Sequence, residues 1–389
     1  MKQQEAQILK WIEEDPMISQ QELADRAGIA RSTVSVHISN LMKKGCIAGR
    51  GYIVRNVPYV VVIGGMNVDI GGTPFKPLVA QDSNPGKVRI SLGGVGRNIA
   101  HNMALLGIDV RMISALGDDL YAQKITHSCT ELGIDLSASL KVPGAHTSTY
   151  LYINEADGET QLGLADMDIY EHLTPQYLAS KETLLRNAQL VLADTNIPAQ
   201  SLAWLAQNCH VPLFVDPVST AKAVKLIPIL GQIHTLKPNR IEAEVLSGVQ
   251  ITDDESLKQC AQTLLRTGLK RVFISLGSEG VYVADQEGYH AKLPSYPAQV
   301  VSTSGCGDAF MAALAWSWLE GLPIEESAKA GLAASAITME TAEAINPEIN
   351  AAVVCERARI PLRERAGISL RECAGEANGT EKAFQCDEK

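Results

Sequence analysis

Short runs of apolar residues alternate with longer helix-forming segments through most of the chain after residue 58. The first run, Tyr59–Ile63, is apolar throughout, as is typical of a strand that is buried on both faces of a sheet. Similar runs follow, and a helical or turn segment comes after each one. They are Leu190–Ala193, Leu213–Val215, Thr235–Leu236 and Val272–Ser275. This alternation predicts an α/β fold with a doubly wound, mainly parallel sheet.

A glycine turn between residues 302 and 310 carries the strongest indication of chemistry. The pair Val300-Val301 predicts the end of a strand, and the apolar segment Ala309–Leu319 predicts a buried helix. Glycines let the backbone approach a ligand closely, and the first N–H groups of a helix form an anion site together with its dipole. Asp308, in the first helical turn, would then be a base for a group that attacks the anion. The alternative is an ordinary glycine turn in which Asp308 only caps the helix.

A second glycine-rich turn, Gly93-Gly94-Val95-Gly96, opens a predicted helix that runs to Leu106. It matches neither the phosphate-binding loop G-x-x-x-x-G-K-[ST] nor the dinucleotide fingerprint G-x-G-x-x-G. We therefore expect its backbone and Asn98 to approach a neutral, hydroxyl-rich ligand. Asn67 and Asp69 follow the first strand. Because ligands of open α/β sheets bind beyond the carboxyl ends of the strands, these two residues are expected at the binding edge as well.

The first 57 residues are predicted to form a separate unit of three short helices. The helices cover residues 2–14, Gln20–Ala27 and Arg31–Lys43, and Ser19–Glu22 has the form of a capping box before the second one. Residues 46–54 are predicted to form a small hairpin. This order of elements resembles a winged helix-turn-helix domain.

The third helix of such a domain enters the major groove of DNA, which would bring five side chains to the base edges. They are Arg31, Ser32, Thr33, Ser35 and His37. Lys43, Lys44 and Arg50 would lie near phosphates. A helical bundle for protein contacts or dimerisation is the alternative. It stays open because Ala30 stands where a capping serine or threonine is usual, and because residues 1–57 carry a net charge of only +2.

Two further segments depart from the alternation of strands and helices. Thr147–Asn154 and Thr160–Leu164 alternate around Asp157-Gly158, which predicts a β-hairpin. Together with residues 70–90, this hairpin is expected to form a small β lid over the site. Residues 351–389 show little periodicity, so we expect a tail that is mostly disordered or loosely attached.

Composition narrows the classes of protein to which the chain can belong. With 389 residues, of which 46% are hydrophobic and 20% charged, it has the composition of a soluble globular protein of two or three domains. The net charge of −10 argues against a protein that coats nucleic acid along its whole surface. The eight cysteines form no C-x-x-C pair, and no apolar run reaches the length of a membrane span. We therefore expect free thiols in a cytoplasmic protein without a membrane partner.

The two glycine-rich turns together resemble one enzyme family. Gly305-Cys306-Gly307-Asp308, preceded by Gly93-Gly94-x-x-x-Asn98, is similar to the paired motifs of the ribokinase-like (PfkB) carbohydrate and nucleoside kinases. The resemblance covers residues 58–350 and implies the fold of that family, a mainly parallel sheet with a small β lid. Within the family, Gly93–Ala100 and Ala165-Asp166-Met167 look most like the pseudouridine kinases.

The resemblance implies a catalytic site and an acceptor site. Asp308 would be the general base for a primary hydroxyl, and the amides of Gly305, Cys306 and Gly307 would stabilise the transferring γ-phosphoryl group. Five residues would hold the ribose hydroxyls. They are Asn67, Asp69, Gly93, Gly94 and Asn98. Asp166 would reach the base of a nucleoside.

For the phosphate donor, the resemblance implies ATP with Mg²⁺. Asn239 and Glu242 match the family's positions near the phosphates and the hydrated magnesium ion, which prefers oxygen ligands. The nucleotide loop would be formed by Gly277, Ser278 and Gly280. Ser302 stands where many members have an aspartate that helps to bind an activating monovalent cation. Serine lacks that charge, which leaves activation by K⁺ open.

These roles predict an ATP-dependent kinase that phosphorylates the 5′-hydroxyl of a ribonucleoside, with pseudouridine preferred. A ribokinase-type sugar kinase and an inosine-type nucleoside kinase are the alternatives within the family. An alternative of another class is a transcription regulator whose kinase-like domain only senses a ligand, although the intact anion site and Asp308 favour catalysis. We also expect a homodimer, with DNA as a further partner of residues 1–57.

Overall fold

The computed structural model describes residues 3–16, 18–47, 58–155 and 160–362. These residues belong to two units that divide between Pro58 and Tyr59. Most of the predicted hairpin at residues 46–54 lies outside the described residues, and so do the turn at Asp157-Gly158 and the tail after residue 362.

The N-terminal unit consists of three helices around a small apolar core. They are α1 (Gln3–Glu14), α2 (Gln20–Ala27) and α3 (Arg31–Lys43), as predicted. Ile8, Leu23 and Leu41, one from each helix, are fully buried in this core. The hydroxyl of Ser19 accepts a hydrogen bond from the Glu22 amide (3.1 Å), which starts α2.

The second unit contains all the described strands. They are β1 (Val60–Ile63), β2 (Asn67–Pro74), β3 (Gly86–Gly93), β4 (Val110–Ile113), β5 (Ala115–Leu116), β6 (Leu140–Lys141), β7 (Thr149–Asn154), β8 (Thr160–Asp166), β9 (Leu190–Asp194), β10 (Leu213–Asp216), β11 (Thr235–Leu236), β12 (Arg271–Ser275), β13 (Val281–Asp285) and β14 (His290–Leu293).

Its helices lie between these strands and after them. They are α4 (Val95–Leu105), α5 (Leu120–Glu131), α6 (Pro175–Ala179), α7 (Glu182–Arg186), α8 (Ala199–Asn208), α9 (Thr220–Ala223), α10 (Arg240–Ser247), α11 (Asp254–Arg266), α12 (Cys306–Leu319), α13 (Ile324–Met339) and α14 (Ala351–Ala358). The described residues of this unit also include three 3₁₀-helices, at Asp168–His172, Val224–Gln232 and Gly277–Glu279.

The main sheet has eight strands in the order β14-β13-β12-β11-β10-β9-β1-β4. The six strands from β12 to β4 are parallel, and β13 and β14 pair antiparallel at one edge. Alternate residues of β1 enter the two cores that cover its faces, Val60 and Val62 on one side and Val61 and Ile63 on the other. The predicted doubly wound, mainly parallel sheet is therefore confirmed.

A separate four-stranded sheet, in the order β3-β2-β7-β8, corresponds to the predicted lid. β7 and β8 pair antiparallel, as the alternating pattern predicts. β2 pairs antiparallel with β3 and parallel with β7. The lid is thus assembled from two segments that lie more than fifty residues apart in the chain.

One prediction about local structure is wrong, and the first part of the predicted tail is ordered. Residues 351–358 are not disordered but form α14, because Asn350 caps its first turn and Val354, Cys355 and Ala358 form a buried apolar face. Val300-Val301 does not end a strand. The two residues are 64% and 54% exposed in a loop, because this segment pairs with no neighbouring strand. No helix among the described residues is both long enough and apolar enough to cross a bilayer.

Candidate active site

The two glycine-rich turns meet at one hydrogen bond. Nδ2 of Asn98, in the first half of α4, donates to Oδ2 of Asp308, in the first turn of α12, over 2.9 Å. The two residues are 210 positions apart in the chain. The fold thus joins the two motifs that the sequence singled out.

Gly305 starts α12 in a conformation that other residues rarely adopt. It is the N-cap with φ +77°, and the carbonyl of Ala344 occupies the place that a β-carbon would need. On the other side of the turn, Oγ of Ser335 donates to the carbonyl of Cys306 (2.9 Å), which fixes the first turn against α13. No side chain of the described residues caps this N-terminus. The amides of Gly305 and Gly307 are therefore available to an anion, and the Cys306 amide makes only a long hydrogen bond to the carbonyl of Thr303 (3.5 Å).

Asp308 has the titration behaviour of a poised base. The pKa of its carboxyl is raised from 3.8 to about 8, first by burial and second by the nearby carboxylate of Asp216. The Asn98 amide and the Lys237 ammonium lower the same pKa, because both stabilise the carboxylate. A carboxyl group whose pKa lies near neutrality can both accept and release a proton at physiological pH.

Lys237 brings a positive charge to the same place. It follows β11, is only 6% exposed, and its Nζ lies 3.2 Å from Oδ2 of Asp216. Nζ is also 3.2 Å from the point where a β-carbon on Gly307 would sit, so it lies beside the anion-site turn. The carboxylates of Asp216, Glu242 and Asp308 raise the pKa of Lys237 against the opposing effect of burial. This buried lysine is therefore charged.

A cavity of about 600 Å³ opens beside the first turn of α12. Cys306, Gly307 and Lys237 line its inner end, and Gly277, Ser278 and Gly280 line it as well. Most of its remaining wall is apolar and comes from residues such as Phe310 and Met339. The cavity thus combines a charged end with an apolar body, as a nucleotide requires. The residues assigned to the nucleotide loop and those assigned to the anion site border the same space.

The side chains of Asn239 and Glu242 form hydrogen bonds within the first turn of α10. They form a capping box at the start of α10, in which the Asn239 side chain accepts from the Glu242 amide (2.9 Å) and Glu242 accepts from the Asn239 amide (2.8 Å). Glu242 is nevertheless only 4% exposed, and burial together with Asp216 raises its pKa. Asn239 does not line the cavity, although Lys237 two residues before it does.

The carboxylates beside Lys237 fit a hydrated magnesium ion. Oδ2 of Asp216 is buried and forms an ion pair with Lys237 (3.2 Å), and burial and the charge of Asp216 raise the pKa of the neighbouring Glu242. No group of three or more His, Cys, Asp or Glu side chains in the described ranges could hold a metal. Mg²⁺ is usually bound by one or two carboxylates, several waters and the phosphates of the substrate, so two carboxylates suffice.

Asn67, Asp69 and Gly93 form one group at the edge of the lid. Nδ2 of Asn67 donates to Asp69, and the Asp69 carboxylate occupies the space beside Gly93 where any side chain would stand. Burial raises the pKa of Asp69, which the Asn67 hydrogen bond and the charge of Arg97 partly offset. A carboxylate next to an amide provides the acceptors and donors that vicinal hydroxyls need.

The predicted contact of Asp166 with a base is not supported. Thr149 is the neighbour of both Val68 and Asp166, whereas Asp69 pairs with Tyr150, the next residue along the strand. Because side chains alternate along a strand, Asp166 projects from the face opposite to that of Asp69. Tyr150, the neighbour of Asp69 on β7, lies on the Asp69 face instead.

Asp194 holds the second glycine turn in place. Its fully buried carboxylate accepts from the amides of Gly65, Gly96 and Asn196, each over 2.8 Å. Gly94, the N-cap of α4 with φ +98°, packs directly on the carbonyl of Gly65. The first turn of α4 is thus attached to the ends of β1 and β9, and this fixes Asn98 opposite Asp308.

In the N-terminal unit, Arg31, Ser32, Thr33 and Ser35 are exposed on α3, and only His37 departs from the prediction. His37 is 8% exposed and lies in the inner row with Val34, because three positions along a helix return to the same face. It cannot face a DNA groove. Lys44 donates to Glu5 within the unit (2.8 Å), and Arg50 lies outside the described residues.

Three residues of the site were missed in the sequence, namely Asp194, Asp216 and Lys237. Asp194 and Asp216 are the last residues of the parallel strands β9 and β10, and Lys237 directly follows β11. Since ligands bind beyond the carboxyl ends of such strands, charged residues at these positions were the signal that could have found them.

Comparison with known proteins places this geometry in a family. Residues 57–351 match the model of the pfkB family carbohydrate kinases, and residues 1–48 match that of winged helix-turn-helix DNA-binding domains. The chain is 40% identical to the pseudouridine kinase of Escherichia coli (strain K12) over 77% of this chain and 96% of that protein. It is also 40% identical to YeiI, an uncharacterized sugar kinase of the same organism, over 90% of this chain and 97% of that protein.

Solved structures agree with these matches. A putative sugar kinase from Clostridium perfringens is 32% identical and superposes with a TM-score of 0.71, over 78% of this chain and 96% of that one. Ribokinase of Arabidopsis thaliana, solved with ribose and ATP, shares the fold with a TM-score of 0.70 at 24% identity, over 78% of this chain and 99% of that one. With its two glycine turns joined at Asp308, the chain belongs to the pfkB family of carbohydrate kinases, and it is a phosphotransferase.

Proposed function

We propose that this kinase transfers the γ-phosphoryl group of ATP to the 5′-hydroxyl of a ribonucleoside, with pseudouridine as the preferred acceptor. The observation that carries the proposal is the hydrogen bond from Asn98 to Asp308. It brings the residues expected to hold a ribose next to a base at the edge of the anion site. The 40% identity to a pseudouridine kinase supports the choice of acceptor.

Asp308 acts as the general base. The 5′-oxygen of the acceptor attacks the γ-phosphorus, its proton passes to the Asp308 carboxylate, and the bond to the β,γ-bridging oxygen breaks to release ADP. Asn98 donates to Oδ2 of Asp308, which leaves Oδ1 for the incoming proton. The amides of Gly305, Cys306 and Gly307 stabilise the charge on the equatorial oxygens of the phosphoryl group.

Lys237 stabilises the same charge from the other side of the turn. Its buried ammonium lies beside Gly307 and needs no reorganisation when charge develops on the phosphoryl group. Asp216 and Glu242 are the residues that would hold Mg²⁺, and Mg²⁺ neutralises the β- and γ-phosphates when it is bound with ATP. Asn239 contributes by capping α10 and so positions Glu242.

The acceptor pocket suits a neutral substrate. Arg97 is the basic residue of the acceptor motif, but its guanidinium donates to the carbonyl of Leu92 and to Oγ of Ser128, both over 3.1 Å. It is therefore committed to the protein and is not free to bind a phosphate on the acceptor. This favours a nucleoside or a free sugar over a sugar phosphate.

A panel of acceptors tests the proposal. ADP release is measured with ATP, Mg²⁺ and either pseudouridine, uridine, inosine or D-ribose, and we expect the highest kcat/KM with pseudouridine. A higher kcat/KM for ribose would move the protein to the sugar kinases, and a higher one for inosine to the inosine-type nucleoside kinases. If no compound is phosphorylated while one of them alters DNA binding, the ligand-sensing regulator becomes the better account.

DNA binding by residues 1–57 is a second proposed function. The match to a winged helix-turn-helix family and the exposed row Arg31, Ser32, Thr33 and Ser35 on α3 support it. Electrophoretic mobility of DNA from upstream of the coding sequence, measured at low salt, tests it. We expect a shift that Arg31→Ala weakens. Absence of any shift with the wild-type chain would favour a role of this unit in protein contacts.

We propose that the kinase unit forms a homodimer through the lid. The face of the lid opposite to Asp69 exposes a continuous set of aliphatic side chains, which a second copy of the chain would cover. They are Val88, Ile90, Leu151, Leu162 and Leu164. Sedimentation equilibrium should give a dimer that Leu164→Glu dissociates, and a monomeric wild-type protein would contradict the proposal.

A further inference from the structure

Two tyrosines lie on the face of the lid that carries Asp69. Tyr150 is the direct neighbour of Asp69 across the parallel pair of β2 and β7, and Tyr152 is the neighbour of Gly71 in the same way. Residues in register on adjacent strands project to the same side, and adjacent strands are about 4.8 Å apart. Both rings are therefore on the face where the ribose is expected, and Tyr150 is next to the carboxylate that would bind it.

Glycines on the neighbouring strands allow both rings to lie flat. A β-carbon on Gly71 would meet the ring of Tyr152, with Cε2 at 2.7 Å, and a β-carbon on Gly163 would meet Oη of Tyr150 at 2.6 Å. The rings thus cover β2 and β8 where those strands have no side chain. Their centroids are 5.7 Å apart with an interplanar angle of 30°, and both residues remain half-buried. Part of each of these residues therefore remains accessible.

The Gly71 end of this face reaches the segment that contacts Gly305 at the start of α12. Arg89, which pairs across the sheet with Gly71, forms an ion pair with Glu343, and the next residue, Ala344, contacts Gly305 with its carbonyl. Tyr152, Gly71 and Arg89 are in register across three strands, and Arg89 connects them to the segment beside the anion site. The opposite face of the lid instead exposes aliphatic side chains such as Val88 and Leu162.

We propose that Tyr150 and Tyr152 form a stacking platform for the planar base of the acceptor, and that this platform makes the enzyme prefer a nucleoside to a free sugar. Tyr150 is one strand spacing from Asp69, so its ring is within reach of the base of a nucleoside whose ribose is hydrogen-bonded to Asp69. A flat aromatic base gains stacking energy on such rings, whereas the anomeric hydroxyl of ribose gains none. The inference rests on the proposed nucleoside kinase function and names the residues that select its substrate class.

Steady-state kinetics of four variants test the platform. Tyr150→Leu and Tyr152→Leu should each raise the KM for pseudouridine about tenfold or more, as expected for the loss of one ring–base stack. Tyr150→Phe and Tyr152→Phe keep the ring and should stay within about twofold of wild type. The KM of D-ribose, or its Ki if it only inhibits, should not change in any of them.

The supporting glycines offer an independent test with a matched control. Gly71→Ala should push the Tyr152 ring off the sheet and raise the KM for pseudouridine without a change for ribose. Gly72→Ala adds the same methyl group one residue further along β2, on the opposite face, where it meets only ordinary contacts at 3.9 Å. It should leave both constants unchanged.

The outcomes separate the platform from the function on which it rests. If the wild-type enzyme phosphorylates no nucleoside, the proposed function fails and the platform fails with it. If pseudouridine is a good substrate and the leucine variants keep its KM, only the platform is wrong. A parallel loss of ribose affinity would assign the tyrosines a purely structural role and would also overturn it.

Discussion

The helices α4 and α12 start in the same way but put their N-termini to different uses. Each follows a glycine with positive φ, Gly94 and Gly305, and neither N-cap residue offers a side chain to the helix amides. At α4 the Gly96 amide donates to the buried carboxylate of Asp194, so the protein supplies its own anion. At α12 the first turn borders the cavity and Lys237, and no side chain in the described part of the chain caps it. A glycine turn before a helix thus predicts an anion site without telling whether the anion is the protein's own or a ligand's.

Asp308→Asn changes the first turn of α12 and should have the largest effect on activity. The amide cannot accept the proton, so kcat should fall about 10²- to 10⁴-fold, while the Kd for the acceptor changes little. Turnover by coupled assay and binding by calorimetry measure the two effects.

The same variant should be more stable than wild type at pH 8. The pKa of Asp308 is raised from 3.8 to about 8 in the folded state, so the folded protein binds more protons than the unfolded chain between these values. The stability of the wild type therefore falls as the pH rises from about 4 to about 8, and asparagine removes this loss.

For the kinetic prediction, an Asp308→Asn variant with near wild-type kcat would show that Asp308 is not the base.

Lys237→Met should have the next largest effect. Loss of the ammonium beside the anion site is expected to lower kcat about 10²- to 10³-fold. It should also shift the acid limb of the pH–kcat profile upward, because Lys237 lowers the pKa of Asp308.

Lys225→Met is the matched control for the Lys237 substitution. Lys225 is another partly buried lysine, but it donates to the carbonyls of Thr195 and Ile197, outside the cavity lining. The Lys225→Met variant should therefore retain both the kcat and the pH–kcat profile of the wild type. An unchanged acid limb in a folded Lys237→Met protein would show that the lysine does not act at the phosphoryl group.

In the wild-type enzyme, pH should change the activity by a smaller factor than the substitutions of Asp308 and Lys237 do. Since the Asp308 carboxyl must be ionised and its pKa is about 8, kcat/KM should rise about tenfold from pH 7 to above pH 9. Rates in overlapping buffers at constant ionic strength measure this rise. A flat profile across that range would place the base at another residue.

Asp194→Asn should disturb the filled N-terminus of α4 and have the mildest effect on activity. An amide group would set its own N–H against the amides of Gly65, Gly96 or Asn196, so the midpoint of thermal unfolding should drop by a few degrees. Asn98 would shift with α4, which should raise the KM for the acceptor a few-fold and leave the KM for ATP unchanged.

Asp285→Asn provides the control for this last change. Asp285, at the end of β13, is 8% exposed and accepts from the amides of Glu287 (3.0 Å) and Tyr289 (2.9 Å), but it does not line the site. It should lower the unfolding temperature without changing either KM. If Asp194→Asn abolished kcat at an unchanged unfolding temperature, Asp194 would belong to the chemistry instead.

Much of the fold could be predicted because its causes are local. The all-apolar run at Tyr59–Ile63 and the cap at Ser19 determine strand and helix through backbone hydrogen bonding and side-chain periodicity. The errors occurred where packing overrides such patterns. Val300-Val301 has strand propensity but no neighbouring strand, and α14 is ordered because its apolar face finds a partner in the kinase core.

The sequence by itself determined the two glycine turns, the position of Asp308 in one of them and the alternating α/β order, because each depends on a few adjacent residues. Only the tertiary structure brought Asn98 within 2.9 Å of Asp308 and placed Lys237 beside Gly307. It also decided which of the two helix N-termini is filled and which is open. Those outcomes depend on Asp194 and on the cavity beside α12, and a chain can bring such distant groups together only by folding.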